Sequence, residues 1–329
     1  MTDHAHPVPR AARHARPESK ARSYARLGKL DVYDYYLSMA VVVSALALPA
    51  GPPAPAAATL AVFLLGEVLV VMAMVALDDV TGFRDGSDAR NYGPDHPRRQ
   101  RLRKPLVAGA LTVREALGFG CVTAVAGAAS WSLAVAVAPH RPLWATVLIA
   151  AVFVVSVQYS YGLRISYRGF QEVFLAGLGA ALVVAPYALA TGAFSGFVLV
   201  QGVLFGCGPL LFGVYSNTND VDGDRAAGRL TVASVASARG NAVFVGALSA
   251  AEFALGALAS ATGLAPWWFV LWMAPVTVLR VRQYRTGFRH GDIMRARRRG
   301  FTVHRVATVL LVGANLLAAA LDLGPGGAT

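Results

Sequence analysis

Ser216-Asn217-Thr218-Asn219-Asp220-Val221-Asp222-Gly223-Asp224-Arg225-Ala226-Ala227-Gly228-Arg229 closes an apolar run that begins near residue 197. Three carboxylates fall within five residues, with two side-chain amides just before them and two arginines after. Such a cluster repels itself unless cations neutralise it. On a helix turning about 100° per residue, Asn217, Asp220 and Asp224 share one face and Asp222 points elsewhere. Hard cations such as Mg²⁺ take oxygen ligands, through one or two carboxylates plus substrate phosphates. The plainer reading is a solvated acidic loop capping a helix. Like-charge crowding against the end of an apolar span is more than a cap needs.

Around this stretch the chain has the composition of a membrane protein. Its 329 residues are 56% hydrophobic and only 15% charged, where a soluble domain has about 25% charged residues. Apolar runs lie at about 32–50, 55–77, 115–138, 143–162, 172–192, 197–216, 241–262, 265–281 and 304–322, each near the length that spans a bilayer. The expected fold is an all-α polytopic membrane protein with nine transmembrane helices. Acidic clusters follow the second and sixth runs and shorter basic loops follow the fourth and eighth, which suggests a four-helix pseudo-repeat plus one. Residues 1–30, rich in Arg, His and Pro, are expected to form a disordered basic cytoplasmic tail. Residues 31–322 form the nine-helix domain, and 323–329 a flexible C-terminal tail. The first 30 residues contain no apolar core or cleavage site of a signal peptide.

Charge placement orients the bundle. All but one of the 30 Lys and Arg residues fall in segments 1–31, 78–114, 163–172, 217–240 and 280–305, and Arg141 alone falls on the other side. Cytoplasmic loops keep the positive charge. The N-terminus is therefore expected inside and the C-terminus outside, in the plasma membrane. The net charge of +12 then implies membrane lipid rather than nucleic acid as its partner. Cys121 and Cys207 lie inside apolar runs and read as packing residues.

Three further segments carry chemistry. Asp78, Asp79, Asp85 and Asp88 follow the second run. Asp78 and Asp85 share a face if the helix continues, and Gly82 and Gly86 bear on whether it does. Arg98-Arg99-Gln100-Arg101-Leu102-Arg103-Lys104-Pro105-Leu106 reads as a topology anchor or, beside those acids, as a phosphate contact. Gln158 to Glu172 combines Tyr159, Tyr161 and Tyr167 with Arg164 and Arg168, either an interfacial aromatic belt or part of a site. Glu67 and Glu252 lie within apolar runs as functional candidates or hydrogen-bonded packing residues. Gln158, Gln201 and Asn315 read as interhelical hydrogen-bonders.

Together these segments resemble the UbiA superfamily of intramembrane prenyltransferases, in the flavour of the quinone-pathway branch that prenylates dihydroxynaphthoate. Asn217-x-x-Asp220-x-x-x-Asp224 and the following Gly228-Arg229 look like the second Asp-rich motif of that family and its Gly-Arg/Lys-Thr segment. Lys104-Pro105-Leu106-x-x-Gly109 resembles the Arg-Pro-Leu-x-x-Gly stretch after the first motif. Tyr159-Ser160 through Tyr167-Arg168-Gly169 and Glu172 resembles the segment after the fourth helix. The first motif departs from the family's Asn-Asp-x-x-Asp-x-x-x-Asp, since the chain reads Asp78-Asp79-Val80-Thr81-Gly82-Phe83-Arg84-Asp85-Gly86-Ser87-Asp88.

The resemblance implies transfer of an isoprenyl group from a prenyl diphosphate to an aromatic or other lipophilic acceptor. Mg²⁺ would be held by Asp78, Asp79, Asp85, Asp220 and Asp224. Asn217, Arg103, Lys104, Arg164 and Arg168 would bind substrate, and Tyr159 or Tyr167 would steady the allylic cation. One alternative is a terpene cyclase on the same scaffold, acting without an acceptor. Another is a transporter or an inactive scaffold, against which the paired acidic clusters speak, because transporter sites lie near the midplane.

Overall fold

The computed structural model describes residues 19–30, 34–46, 54–92 and 103–321, and among them helix is the only regular structure. The chain opens with α1 (Lys20–Leu27) and α2 (Ser38–Ala45), then the long α3 (Ala54–Arg84) and the short α4 (Ser87–Asn91). Next come α5 (Val113–Val137), α6 (Leu143–Val157), α7 (Gln171–Thr191) and α8 (Gly196–Asn219). Two short helices, α9 (Val221–Ala227) and α10 (Val232–Val235), lead to α11 (Ala238–Ala261). The chain closes with α12 (Phe269–Trp272), α13 (Ala274–Tyr284) and α14 (Ile293–Ala320). The expectations for residues 1–18, 98–101 and 323–329 lie outside the described residues.

Among the described residues six helices, α3, α5, α7, α8, α11 and α14, are long and apolar enough to cross a membrane. The other three expected spans are shorter. Tyr35–Ala45 and Leu143–Val157 are apolar helices of under 18 residues. The run at 265–281 is divided between α12 and α13, with Pro275 in the first turn of α13. Proline suits a first turn, where its missing N–H would have no partner.

Local signals set the helix starts. Thr112 and Glu115 form a reciprocal capping box at α5, and Ser195, Ser237 and Asp292 cap α8, α11 and α14, each satisfying an otherwise orphaned N–H. Packing then sorts the helices. α8 is the most enclosed span, 78% of its apolar window buried, and α11 the least at 22%. α7 crosses α8 where Gly179 meets Gly206: a Cβ on Gly179 would lie 2.3 Å from the Gly206 Cα. Small residues allow such backbone approach between membrane helices.

The polar groups within the spans are mostly paired. Glu67 accepts from Ser38 Oγ, at 2.8 and 2.9 Å, and is fully buried. Glu252 holds Arg280 in a two-pronged ion pair, at 2.7 and 2.9 Å. Gln201 and Asn315 hydrogen-bond each other and Asn315 reaches Ser44, as expected of interhelical partners. Gln158 instead accepts from the Leu163 N–H in its own loop.

The N-terminal segment differs from the expectation of a disordered tail as far as residue 30. α1 is amphipathic and docks on the bundle. Leu27 is fully buried against Ala76, Val80, Leu106 and Leu111, Tyr24 stacks on Phe119 with ring centroids 5.3 Å apart, and Lys20 pairs with Glu115. A few apolar residues on one helical face supply that docking energy, a signal that polar composition obscures.

Candidate active site

A cavity of about 590 Å³ opens at the end of the bundle that carries both acidic segments. Asp78, Asp88, Asp220, Asp224, Lys104 and Arg229 border its polar part. Val71, Met74, Leu178, Leu182, Phe205 and Phe212 border the rest. Phe205 precedes Asn217 on α8 by about 18 Å of helical rise. One continuous space therefore joins a charged mouth to a hydrocarbon interior.

The second acidic segment is not one helix. α8 ends at Asn219, Asp220 adopts a non-helical bend, and α9 resumes at Val221. Asn217, Asp220 and Asp224 nevertheless all border the cavity, and Asp222 is exposed. The Asn217 amide is fixed from both sides: Nδ2 donates to Glu172 at 3.4 Å and Oδ1 accepts from Gln171 Nε2 at 2.9 Å. Asp224 is 4% exposed. Burial, reinforced by the neighbouring charges of Asp220 and Asp78 against the opposing pull of Arg229, pushes its carboxyl up to about 7.

The first acidic segment folds back on itself. α3 runs to Arg84, and Gly86 takes a left-handed conformation (φ +78°) that reverses the chain into α4. Asp88 thereby packs against Gly82, where a Cβ would lie 2.8 Å from the Asp88 Cγ. α4 in turn meets α9 where Asn91 lies over Gly223, a Cβ there coming within 2.4 Å of Asn91 Oδ1. That contact brings the two acidic segments together.

Asp78 accepts from Ser160 Oγ at 2.6 Å and Arg229 Nη2 at 2.8 Å. Asp79 is buried, outside the cavity lining, between Lys104 at 2.6 Å and Lys29 at 2.8 Å. Asp85 also stands outside the lining, accepting from the Tyr167 hydroxyl and pairing with Arg164 at 3.3 Å. Asp88, outside the expected pattern, pairs with Lys104 at 2.8 Å and borders the cavity. Burial pushes its carboxyl up to about 6. Burial alone would lower the Lys104 ammonium, but the carboxylates of Asp79 and Asp88 outweigh it and hold the proton.

Of the other expected site residues, Arg103, Lys104 and Tyr159 border the cavity. Arg168 is exposed and outside it. Tyr167 is also outside, its ring covered by the guanidinium groups of Arg164 at 3.8 Å and Arg229 at 4.5 Å. Arg26, Lys29, Arg297 and Arg298 join the lining without having been singled out, and Arg229 joins it without having been given a role. Arg229 lay within the quoted acidic stretch. Lys29 is placed by a left-handed backbone (φ +54°) at the end of α1, which no local pattern announces.

A family model for the UbiA prenyltransferase family matches residues 37–306. The chain belongs to this family. Its fold is that of solved UbiA homologues. One from Archaeoglobus fulgidus, bound to GPP and Mg²⁺, has a TM-score of 0.61 at 13% identity, with 91% of this chain and 99% of that one covered. An apo homologue from Aeropyrum pernix K1 has a TM-score of 0.59 at 16% identity, with 92% and 99% covered. A digeranylgeranylglyceryl phosphate synthase has a TM-score of 0.53 at 12% identity, with 91% and 98% covered. Comparison with curated proteins gives no sequence match.

The donor set suits Mg²⁺. The cavity offers carboxylate and amide oxygens from Asp220, Asp224 and Asn217. Among the described residues no three Asp, Glu, His or Cys side chains converge to hold a metal by themselves. One or two carboxylates completed by substrate phosphates is how Mg²⁺ is commonly held.

Proposed function

We infer that this protein transfers an isoprenyl group from a prenyl diphosphate to an aromatic or other lipophilic acceptor, in an Mg²⁺-dependent reaction at the cytoplasmic membrane face. The observation that carries this reading is the single cavity that joins Asp220, Asp224 and Arg229 to Leu178, Leu182 and Phe205. A diphosphate fits the first set and its hydrocarbon chain the second. Nine crossings, with the N-terminus inside and the C-terminus outside in the plasma membrane, are the topology that the charge distribution supports. In this topology α2, α6 and the α12–α13 pair complete the bundle.

Asp220 and Asp224 are the metal-binding carboxylates of this reading, with Asn217 beside them. These residues would hold Mg²⁺, which would supply charge neutralisation for the departing diphosphate. The chain's own cations add to that charge stabilisation: Arg229, Lys104 and Arg103 border the mouth, and preorganised cations act most strongly on charge that develops in the transition state. The carbon–oxygen bond of the donor breaks with its electron pair going to the diphosphate. The allylic carbon then accepts an electron pair from the acceptor, which loses a proton. Tyr159 presents an aromatic ring on the cavity wall, tilted against Phe174 with centroids 4.9 Å apart, suited to facing a cation.

A mass-spectrometric screen of membranes containing the protein, with Mg²⁺ and allylic diphosphates, tests the reading. Prenylated acceptor, formed only when acceptor is present, is the expected product. A cyclic hydrocarbon or alcohol from the diphosphate alone would establish a cyclase instead. No diphosphate release with any donor would remove the enzymatic reading.

A further inference from the structure

Asp224 and the acids of the first acidic segment differ in what neutralises them. Every carboxylate of that segment has a protein cation close by: Arg229 for Asp78 at 2.8 Å, Lys29 and Lys104 for Asp79 at 2.8 and 2.6 Å, Arg164 for Asp85 at 3.3 Å, and Lys104 again for Asp88 at 2.8 Å. The Asp79 pairs are the most enclosed, with side-chain exposures of 1% for Asp79, 10% for Lys104 and 13% for Lys29. Lys29 reaches Asp79 from a left-handed backbone that lysine seldom adopts, and its Nζ also donates to the Arg103 carbonyl at 3.3 Å. Docking of α1 through Leu27 and Tyr24 holds it there.

Asp224 of the second segment is different. It is as buried as these acids and borders the cavity, yet among the described residues no Lys, Arg or His forms an ion pair with it. Its side-chain contact is the Thr231 hydroxyl at 3.5 Å. A buried carboxylate that no ammonium or guanidinium group touches is unfavourable, so this is where an external cation gains most. Where ammonium groups already occupy buried carboxylates, a metal must first displace a desolvated, hydrogen-bonded pair, and removing one member of such a pair is strongly unfavourable.

We propose that this protein binds a single divalent cation, on the Asp220–Asp224 side of the cavity, and that Lys29, Lys104 and Arg229 stand as built-in cations in the first acidic segment, where a second metal would otherwise be needed. This rests on the prenyl diphosphate reading above, since the shared anion is what both sets of cations face. It makes α1 part of the site through Lys29. It also accounts for the departure of the Asp78–Asp88 stretch from a regular metal-binding spacing, because these acids hold lysine and arginine.

The test is direct counting of bound metal. Full-length protein in detergent is titrated with Mn²⁺ and free Mn²⁺ is followed by electron paramagnetic resonance, with and without an unreactive thiolodiphosphate analogue of a prenyl donor. One Mn²⁺ per chain is expected. Asp224→Asn should weaken that binding roughly tenfold or more. Asp79→Asn should keep one Mn²⁺ at nearly the same affinity while lowering thermal stability, because two lysines lose their partner. Two Mn²⁺ per chain in the unaltered protein, or a lower count in Asp79→Asn, would overturn the proposal. If Asp79→Asn fails to fold, the count in the unaltered protein decides alone. Turnover of a prenyl donor with two bound Mn²⁺ would sink only the single-metal inference. One bound Mn²⁺ without turnover of any donor would sink only the transferase reading.

Discussion

Arg229 donates to Asp78 at 2.8 Å across 151 positions of sequence, and so ties the segment after α8 to the end of α3. The same guanidinium lies over the Tyr167 ring at 4.5 Å. It is thus held from two sides while bordering the cavity. Arg229→Ala should lower kcat/KM for the prenyl donor roughly 10²-fold, the usual cost of removing one preorganised charge-stabilising donor. Arg229→Lys should recover part of the loss, because charge returns without the planar fork. Steady-state kinetics at saturating Mg²⁺ measures both. Near-normal activity in Arg229→Ala would remove Arg229 from the site.

Asp224 makes the metal-free protein pH-sensitive. Its folded value of about 7 lies above the ordinary 3.8, so the folded state holds the proton more tightly than the unfolded chain. The stability carried by that proton is complete below the ordinary value and is lost as pH rises through the folded value. Asp88, raised to about 6, adds a change of the same sign at lower pH. In EDTA, Tm should fall between about pH 5 and about pH 8. Asp224→Asn should remove the upper part of that fall, and Mg²⁺ with a donor analogue should oppose it. A Tm that rises with pH over this range would contradict the assignment.

Glu252 and Arg280 form a buried pair, with side chains 6% and 2% exposed. Gln283 Oε1 accepts from Arg280 at 2.9 Å. Neither Glu252→Leu nor Arg280→Met alone should be tolerated well, each costing about 3–5 kcal/mol by stranding a buried charge. The double variant should recover most of that loss. Thermal unfolding of the three variants in one detergent forms the cycle, and donor KM in the double variant should stay near that of the unaltered protein.

Gly206 lies where α8 meets α7, and a Cβ there would sit 2.3 Å from the Ala176 carbonyl oxygen. Backbone cannot yield as a flexible side chain does. Gly206→Val should cost at least about 1–3 kcal/mol by overpacking, seen as a lower Tm. Gly177, which has open space around its Cβ direction, should accept Ala with little change. Equal effects at the two glycines would contradict the close crossing.

Much of the fold was legible because a bilayer imposes length and apolarity on its spans. The runs that became α3, α5, α7, α8, α11 and α14 stand out for that reason. The 265–281 run forms two helices, α12 and α13, and an apolar stretch does not show where Pro275 and packing will divide it. α1 was hidden because a few residues, chiefly Leu27 and Tyr24, carry its docking. At the site, helical phase correctly set Asp222 apart from Asn217, Asp220 and Asp224, although the helix itself breaks at Asp220. Phase did not help with Asp85 and Asp88, since Gly86 reverses the chain between them.

The sequence by itself determined a helical membrane chain, the segments in which its positive charge collects, and a family resemblance carried by Asn217, Asp220 and Asp224. These are properties of composition and local spacing, which the bilayer and the helix convert into structure without reference to distant residues. Only the tertiary structure decided which acids face the cavity and which are taken by Lys29, Lys104, Arg164 and Arg229. Those pairings join residues 16 to 151 positions apart. They depend on the reversal at Gly86, the approach of Asn91 to Gly223 and the docking of α1, and each is set by packing between elements.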